Sequence, residues 1–275
     1  MNKLPLKAKT YSQQIRLAVQ IIFFALILAT AINHTLSEAG IAIPLIGAAS
    51  LHSLCPFGGV VTIYTLLTTG RFVQKIHQSS IVLLGIVGVS SILVGNAFCG
   101  WLCPLGSIQE WIGKLGRKLF KKRYNNVVPA KVDRVLRLFK YVVLIWIVYV
   151  TAVTAKLIFA DYDPYHALFN FWSGEVVWQA FLILGLTLAG SLIIERPWCR
   201  YACPLGAMLG LTNKISIFRI KRNASTCISC SKCDKACPMK IQVSNKKSVR
   251  SLECNSCLKC TSENACPIPN TVDMR

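Results

Sequence analysis

The sequence predicts an α-helical membrane protein, with four transmembrane helices arranged as two pseudo-repeats, followed by a small C-terminal α+β domain. Three observations predict it. Four apolar stretches have roughly the twenty residues that cross a bilayer core, a CxxxCP motif is written twice at the ends of two of them, and eight cysteines crowd into residues 227–266. Composition agrees: 53% of the 275 residues are hydrophobic, yet 31 Lys and Arg against 11 Asp and Glu leave a net charge of +20. A chain at once so apolar (mean hydropathy +0.50) and so basic must keep its two kinds of residue apart.

The apolar stretches are residues 15–34, 79–98, 139–160 and 177–195. Short loops rich in Lys and Arg mark the cytoplasmic side. The N-terminal segment carries Lys3, Lys7, Lys9 and Arg16, and the segment after the second stretch carries Lys114, Arg117, Lys118, Lys121, Lys122, Arg123, Lys131, Arg134 and Arg137, so both are assigned inside. Residues 161–176 carry Asp161, Asp163 and Glu175 without a Lys or Arg, and residues 35–78 carry only Arg71 and Lys75, so both are assigned outside. The expectation is a multi-pass protein of a prokaryotic cytoplasmic (inner) membrane, with N- and C-termini in the cytoplasm. Its membrane domain is residues 1–215 and its cytoplasmic domain residues 216–275.

Two alternatives bear on this topology. A fifth span within residues 41–70 would turn the most basic loop outward; Pro44, Pro56, Gly58 and Gly59 instead suit a re-entrant or surface segment. A cleaved signal peptide, read from Ala29-x-Ala31 after a basic start, would remove one span and leave the rest oriented as before. The basic surplus serves topology and attraction to anionic lipid; its sharper use is docking an acidic redox partner. Nucleic acid is not an expected partner, because the basic residues hug the membrane boundaries instead of interleaving with exposed aromatics.

The second stretch ends in Cys99-Gly-Trp-Leu-Cys103-Pro-Leu-Gly and the fourth in Cys199-Arg-Tyr-Ala-Cys203-Pro-Leu-Gly. A fainter echo precedes each on the outer side, His52-Ser-Leu-Cys55-Pro-Phe and His166-Ala-Leu-Phe-Asn-Phe. Two halves in the same orientation predict a pseudo-twofold axis along the membrane normal. Cysteines at i and i+4 share a helix face, and the following Pro turns the chain. Cys99, Cys103, Cys199 and Cys203 are therefore candidates for a shared metal or cluster or for dithiol relays; plain packing is the competing reading. His52 and Cys55 read as a ligand or redox-thiol pair or as structural. Asp161, Asp163 and His166 read as outer proton acceptors or as solvated loop residues. Lys156, near the outer end of the third stretch, reads as a functional intramembrane charge or as a snorkelling one.

The C-terminal cysteines run Cys227-x2-Cys230-x2-Cys233-x3-Cys237-Pro and Cys254-x2-Cys257-x2-Cys260-x5-Cys266-Pro. Three thiolates two residues apart wrap one face of a [4Fe–4S] cluster, while the fourth, before Pro, ligates the other cluster in two-cluster ferredoxins. The expected ligand sets are Cys227, Cys230, Cys233 and Cys266 for one cluster, and Cys237, Cys254, Cys257 and Cys260 for the second. Structural zinc and a disulfide framework are the alternatives. Zinc needs no third evenly spaced cysteine and no trailing Cys-Pro, and disulfides need an oxidising compartment that the topology denies. Five residues before Cys266, where three are usual, make it the least regular ligand.

Together these residues resemble the NapH/NosR type of membrane-bound polyferredoxin, from about residue 15 onward. The resemblance implies four spans, CxxxCP motifs at Cys99, Cys103, Cys199 and Cys203 on the cytoplasmic membrane face, and a ferredoxin-type C-terminal domain. It implies an electron-transfer subunit of bacterial membrane respiration, in the NapH case linked to quinol oxidation. The implied partners are quinone or another redox membrane protein, with any flavin on a separate flavoprotein; a soluble ferredoxin or flavodoxin is the candidate acidic partner. Two other functions fit the same cysteines: a maturation factor that reduces a metal or a thiol for another enzyme, and a cluster-based redox sensor.

Overall fold

The computed structural model describes residues 6–38, 78–154, 158–171 and 176–275. Helix α1 (Leu6–Glu38) leads to α2 (Gln78–Val94), the short α3 (Ala97–Trp101), α4 (Pro104–Phe120) and α5 (Ala130–Thr154). A 3-10 turn precedes α6 (Pro164–Phe169), then α7 (Trp178–Ser191), the short α8 (Pro197–Tyr201) and α9 (Pro204–Thr212). Strand β1 (Ile220–Arg222), α10 (Lys232–Ala236) and strand β2 (Val272–Met274) complete the order. Among the described residues one helix, Ser12–Asn33 within α1, is long and apolar enough to cross a membrane; Val82–Val94 and Trp178–Ser191 are apolar but shorter.

The duplication is written into the packing. Helices α1 and α5 each rest against the pair that carries a CxxxCP motif's first cysteine and begins at its Pro, α3 and α4 for α1, α8 and α9 for α5. The halves then exchange partners, α4 lying on α7 and α9 on α2. Gln20, Ser91, Thr151, Thr187 and Ser191 face inward, while Ile22, Leu26, Val82, Ile86, Ile145, Tyr149, Leu182 and Leu186 face outward. That is a polar-in, apolar-out distribution.

The motif itself differs from the expected single helix face. Cys99 and Cys199 lie within α3 and α8, but Cys103 and Cys203 are the extended N-caps of α4 and α9 (ψ 115° in both), with Pro104 and Pro204 in the first turn. Proline suits that position because its missing N–H is one a helix start leaves unpaired anyway. The backbone bonds repeat as well: the amides of Cys103 and Cys203 donate to Phe98 and Trp198 carbonyls at 3.0 and 2.9 Å, and Ser107 and Ala207 donate to the two cysteine carbonyls.

Within residues 161–176, read from sequence as an outer loop, α6 packs against the helical bundle. Asp163 caps it by accepting from the Tyr165 amide at 3.0 Å, Phe169 is buried against Ile27 and Ala31, and Ala167 is buried against Leu105, Ala180 and Leu184. A charge count carries no sign of whether a loop's apolar face packs back against the helices.

The C-terminal lobe is closed by its own ends. Strands β1 and β2 pair antiparallel, Ile220 opposite Met274 and Arg222 opposite Val272. Ile220, Met239, Ile241, Val243, Val249 and Val272 form a small core with Cys233 and Cys260. The region 41–70, with His52 and Cys55, as well as Lys156 and Glu175, lies outside the described residues.

Candidate metal centres

All eight C-terminal cysteines are free thiols, sorted between two cavities. Cys227, Cys230, Cys233 and Cys266 line one of about 20 Å³, and Cys237, Cys254, Cys257 and Cys260 line another of about 10 Å³. The loops that wrap them share one backbone device. Ser229 and Ser231 flank Cys230, Ser256 and Leu258 flank Cys257, and all four take left-handed φ between 48° and 56°. Non-glycine residues seldom adopt this conformation, so its recurrence at matching positions marks a functional constraint.

Burial shapes the thiols. It pushes Cys237 up to about 12 and Cys254 up to about 11, with neighbouring cysteines adding to the Cys237 shift. Such thiols become thiolates when a bound cation displaces the proton. Among the described residues no three His, Cys, Asp or Glu side chains close on a point narrow enough for one ion. Four thiols around each cavity, in runs of three spaced two residues apart, fit the donor set of a [4Fe–4S] cluster.

The four CxxxCP cysteines also come together. Cys99, Cys103, Cys199 and Cys203 line one cavity of about 70 Å³ between the two halves, roomier than either lobe cavity. Burial raises Cys103 to about 12, with Cys199 beside it adding to the effect. Gln109 donates to the Cys199 sulfur at 3.5 Å and the Gly206 amide to the Cys203 sulfur at 3.3 Å. The remaining wall is largely apolar, with Phe98, Phe159, Tyr165 and Trp198. Asp163 reaches this cavity rather than an outer loop surface, and burial pushes its carboxyl up to about 7 against the opposing Tyr165 hydrogen bond. Asp161 is exposed, and His166 lies on α6 two residues beyond the N-terminal Pro164.

The lobe is clamped directly onto this layer. Asn255 belongs to the walls of both the CxxxCP cavity and the Cys237/Cys254/Cys257/Cys260 cavity. Gln13 donates to the Cys257 carbonyl at 3.1 Å, Trp101 to the Ser256 carbonyl at 3.0 Å, and Asn213 to the Cys254 carbonyl at 2.7 Å. Gly100 is required here, because a Cβ would overlap the Asn255 carbonyl oxygen.

Sequence reasoning missed a buried ionic layer. Glu110 accepts from Arg16 and, at 2.6 Å, from Arg196, with Lys259 of the lobe at 3.1 Å. Burial pushes its carboxyl up, but Arg196, Lys259 and Arg16 together hold it well below the usual range. Glu195 pairs with Arg117 and Lys259 at 2.9 and 2.8 Å, Lys140 with Glu253 at 2.8 Å, and Asp133 with Arg137 and Arg200. Arg196 also donates to the Cys99 carbonyl at 2.6 Å. The available signal was the scarcity of acids: single carboxylates set in basic stretches are natural partners for buried cations.

Comparison with known proteins finds iron–sulfur domain families over these stretches. The 4Fe-4S binding domain family matches residues 76–123 and 176–224, one match over each CxxxCP repeat, and the 4Fe-4S dicluster domain family matches residues 219–267. YccM of Escherichia coli, named for electron transport, is 34% identical over 223 residues, covering 79% of this chain and 61% of that protein. Ferredoxin-type protein NapH of Haemophilus influenzae is 31% identical over 210 residues, covering 71% and 69%. Regulatory protein NosR of Stutzerimonas stutzeri is 27% identical over 232 residues, covering 81% and 31%. This chain thus spans about three fifths of YccM and a third of NosR. No solved structure matches. Helical platform, cysteine sites and family matches define an iron–sulfur protein with ferredoxin-type domains. The chain belongs to the NapH/NosR-type polyferredoxin family.

Proposed function

We propose that the chain transfers single electrons between a membrane carrier, the quinone pool or a neighbouring redox membrane protein, and the cytoplasm, on four transmembrane helices with both termini cytoplasmic. The outward apolar side chains of α1, α2, α5 and α7 support that membrane placement. In this reading Cys237, Cys254, Cys257 and Cys260 hold a [4Fe–4S] cluster next to the membrane domain, and Cys227, Cys230, Cys233 and Cys266 hold a second one farther out. Cys99, Cys103, Cys199 and Cys203 hold a third metal–sulfur centre. Bound clusters supply one-electron chemistry, with potentials set by nearby charge and by hydrogen bonds to sulfur.

The observation that carries the reading is the shared wall. Asn255, between Cys254 and Cys257, faces both the CxxxCP cavity and the nearer lobe cavity. The residues then divide the work. Gln13, Trp101 and Asn213 hold the lobe's backbone in register, the aromatic lining keeps water from the CxxxCP thiols, and Gln109 and Gly206 orient two of the sulfurs. Arg196 places a fixed cation against the CxxxCP layer. Asp163, ionising near neutrality, accepts a proton when the membrane donor is a quinol.

Iron and acid-labile sulfide counts with low-temperature EPR test this on anaerobically purified protein. Three cubane centres give about twelve irons per chain, and the double variant Cys103→Ser/Cys203→Ser gives about eight with both lobe signals intact. An equal count in wild type and variant returns the CxxxCP cysteines to packing. Reduction of the clusters by a quinol analogue supports the membrane donor; reduction by low-potential donors alone assigns electron entry to the cytoplasm.

A further inference from the structure

A cleft of about 660 Å³ opens where the segment after α4 meets the C-terminal lobe, and seven cationic but only three acidic side chains line it. The acids are already engaged. Asp133 is held by Arg137 and Arg200, Glu195 by Arg117 and Lys259, and Asp234 accepts from the Ser244 amide at 2.8 Å. Lys121, Arg134, Lys235, Lys240 and Lys246 have no acidic partner among the described residues, and all but Lys240 are well exposed. These charges come from both sides of the cleft, from the helical platform and from the lobe. Their mutual repulsion is relieved by an anionic occupant.

One lining residue gives the cleft a purpose. Cys237 belongs to the cleft wall and also to the wall of the cavity formed with Cys254, Cys257 and Cys260. A molecule seated in the cleft is therefore separated from that centre by a single side chain. We infer that this cleft is the docking site for an acidic one-electron carrier of the ferredoxin or flavodoxin class, with Cys237 as the point of contact for electron exchange. The inference rests on the assignment of a cluster to Cys237, Cys254, Cys257 and Cys260. In each encounter the reduced carrier loses one electron and the cluster gains one; no bond forms and no proton need move. An acidic protein fits better than a lipid headgroup. A headgroup carries one or two charges, whereas the cationic surface spans both domains and surrounds a cluster ligand that a lipid would not use.

Stopped-flow reduction of the intact, cluster-loaded protein by a dithionite-reduced plant-type ferredoxin tests this, with reduced methyl viologen, a small cation, as the control donor. The variant Arg134→Glu/Lys235→Glu/Lys246→Glu should slow the ferredoxin reaction by roughly 10–100-fold at low ionic strength and abolish its salt dependence, since steering acts through such patches and is screened within a Debye length. Its EPR signals and its reduction by methyl viologen should match the wild type. The neutral variant Lys235→Gln/Lys246→Gln should show a smaller slowing in the same direction and covers the case where charge reversal disturbs folding. Equal ferredoxin rates in wild type and both variants overturn the inference, as does loss of co-purified phosphatidylglycerol with the ferredoxin rate unchanged, which would assign the cleft to lipid. Failure of methyl viologen to reduce the wild type would instead remove the cluster assignment beneath it.

Discussion

Replacing Glu110 by Gln asks whether the buried charge layer fixes the lobe to its platform. Gln keeps the volume and an acceptor but removes the charge from a side chain only 3% exposed that meets Arg16, Arg196 and Lys259. Lys259 keeps Glu195, so the loss falls on Arg16 and Arg196, whose side chains are 3% and 1% exposed and have no other acid among the described residues. At the 2.6 Å of the Arg196 pair and an effective dielectric of about 20, the attraction is about 6 kcal/mol before desolvation. Measured losses for one partner of a buried pair are about 3–5 kcal/mol. At roughly 2–4 °C per kcal/mol for a chain of this size, the midpoint should fall by roughly 6–20 °C.

Differential scanning calorimetry in detergent, under anaerobic conditions, reads the midpoint. Trp101 emission, isolated as the difference from a Trp101→Phe background, reads lobe separation, because its indole donates to the Ser256 carbonyl. Adding Arg16→Gln to Glu110→Gln should recover part of the loss, since an unpaired buried cation is then gone. A midpoint for Glu110→Gln within about 2 °C of wild type, with Trp101 emission unchanged, would refute the claim that this layer holds the two parts together.

Three other outcomes follow from the geometry. Gly100→Ala places a methyl against the Asn255 carbonyl; overpacking of this kind costs about 1–3 kcal/mol, and limited proteolysis should show faster cleavage between platform and lobe, with no change if the contact is dispensable. Cys257→Ser should erase one cluster's EPR signal and leave the other, whereas survival of both signals removes Cys257 from the ligands. Asp163 has its pKa raised from 3.8 to about 7, so the folded protein binds the extra proton between those values. Stability from this group is complete below about 4 and is lost as pH rises through about 7; Asp163→Asn should flatten the melting midpoint against pH over that window.

The cysteine pattern could be read from sequence because spacing alone determines which thiols share a loop. Cys227, Cys230 and Cys233 sit on one wall, and Cys266 reaches them from the far end of the lobe. The duplication was equally plain in CxxxCPLG. What could not be read was anything set by contact across the chain. Arg16 reads as one more inside-positive charge, yet it is buried on Glu110, ninety-four positions away. Asp163 reads as a loop acid because no local signal shows that Ala167 and Phe169 pull α6 back among the helices. The CxxxC pair reads as one helix face, but Pro104 and Pro204 begin new helices and leave the second cysteine in extended backbone.

A platform built from two copies of one motif offers the lobe two comparable seats. The two copies differ at corresponding places in the motif: Gly100 in one, Arg200 in the other. In the observed seat the bare backbone at Gly100 admits the Asn255 carbonyl, while Arg200 is held by Asp133 and Asn125 beneath the Pro238–Met239 side of the lobe. Any side chain at the Gly100 position would meet the Asn255 carbonyl, and Arg200 carries one at the corresponding place, so the two copies are not interchangeable as seats for the lobe.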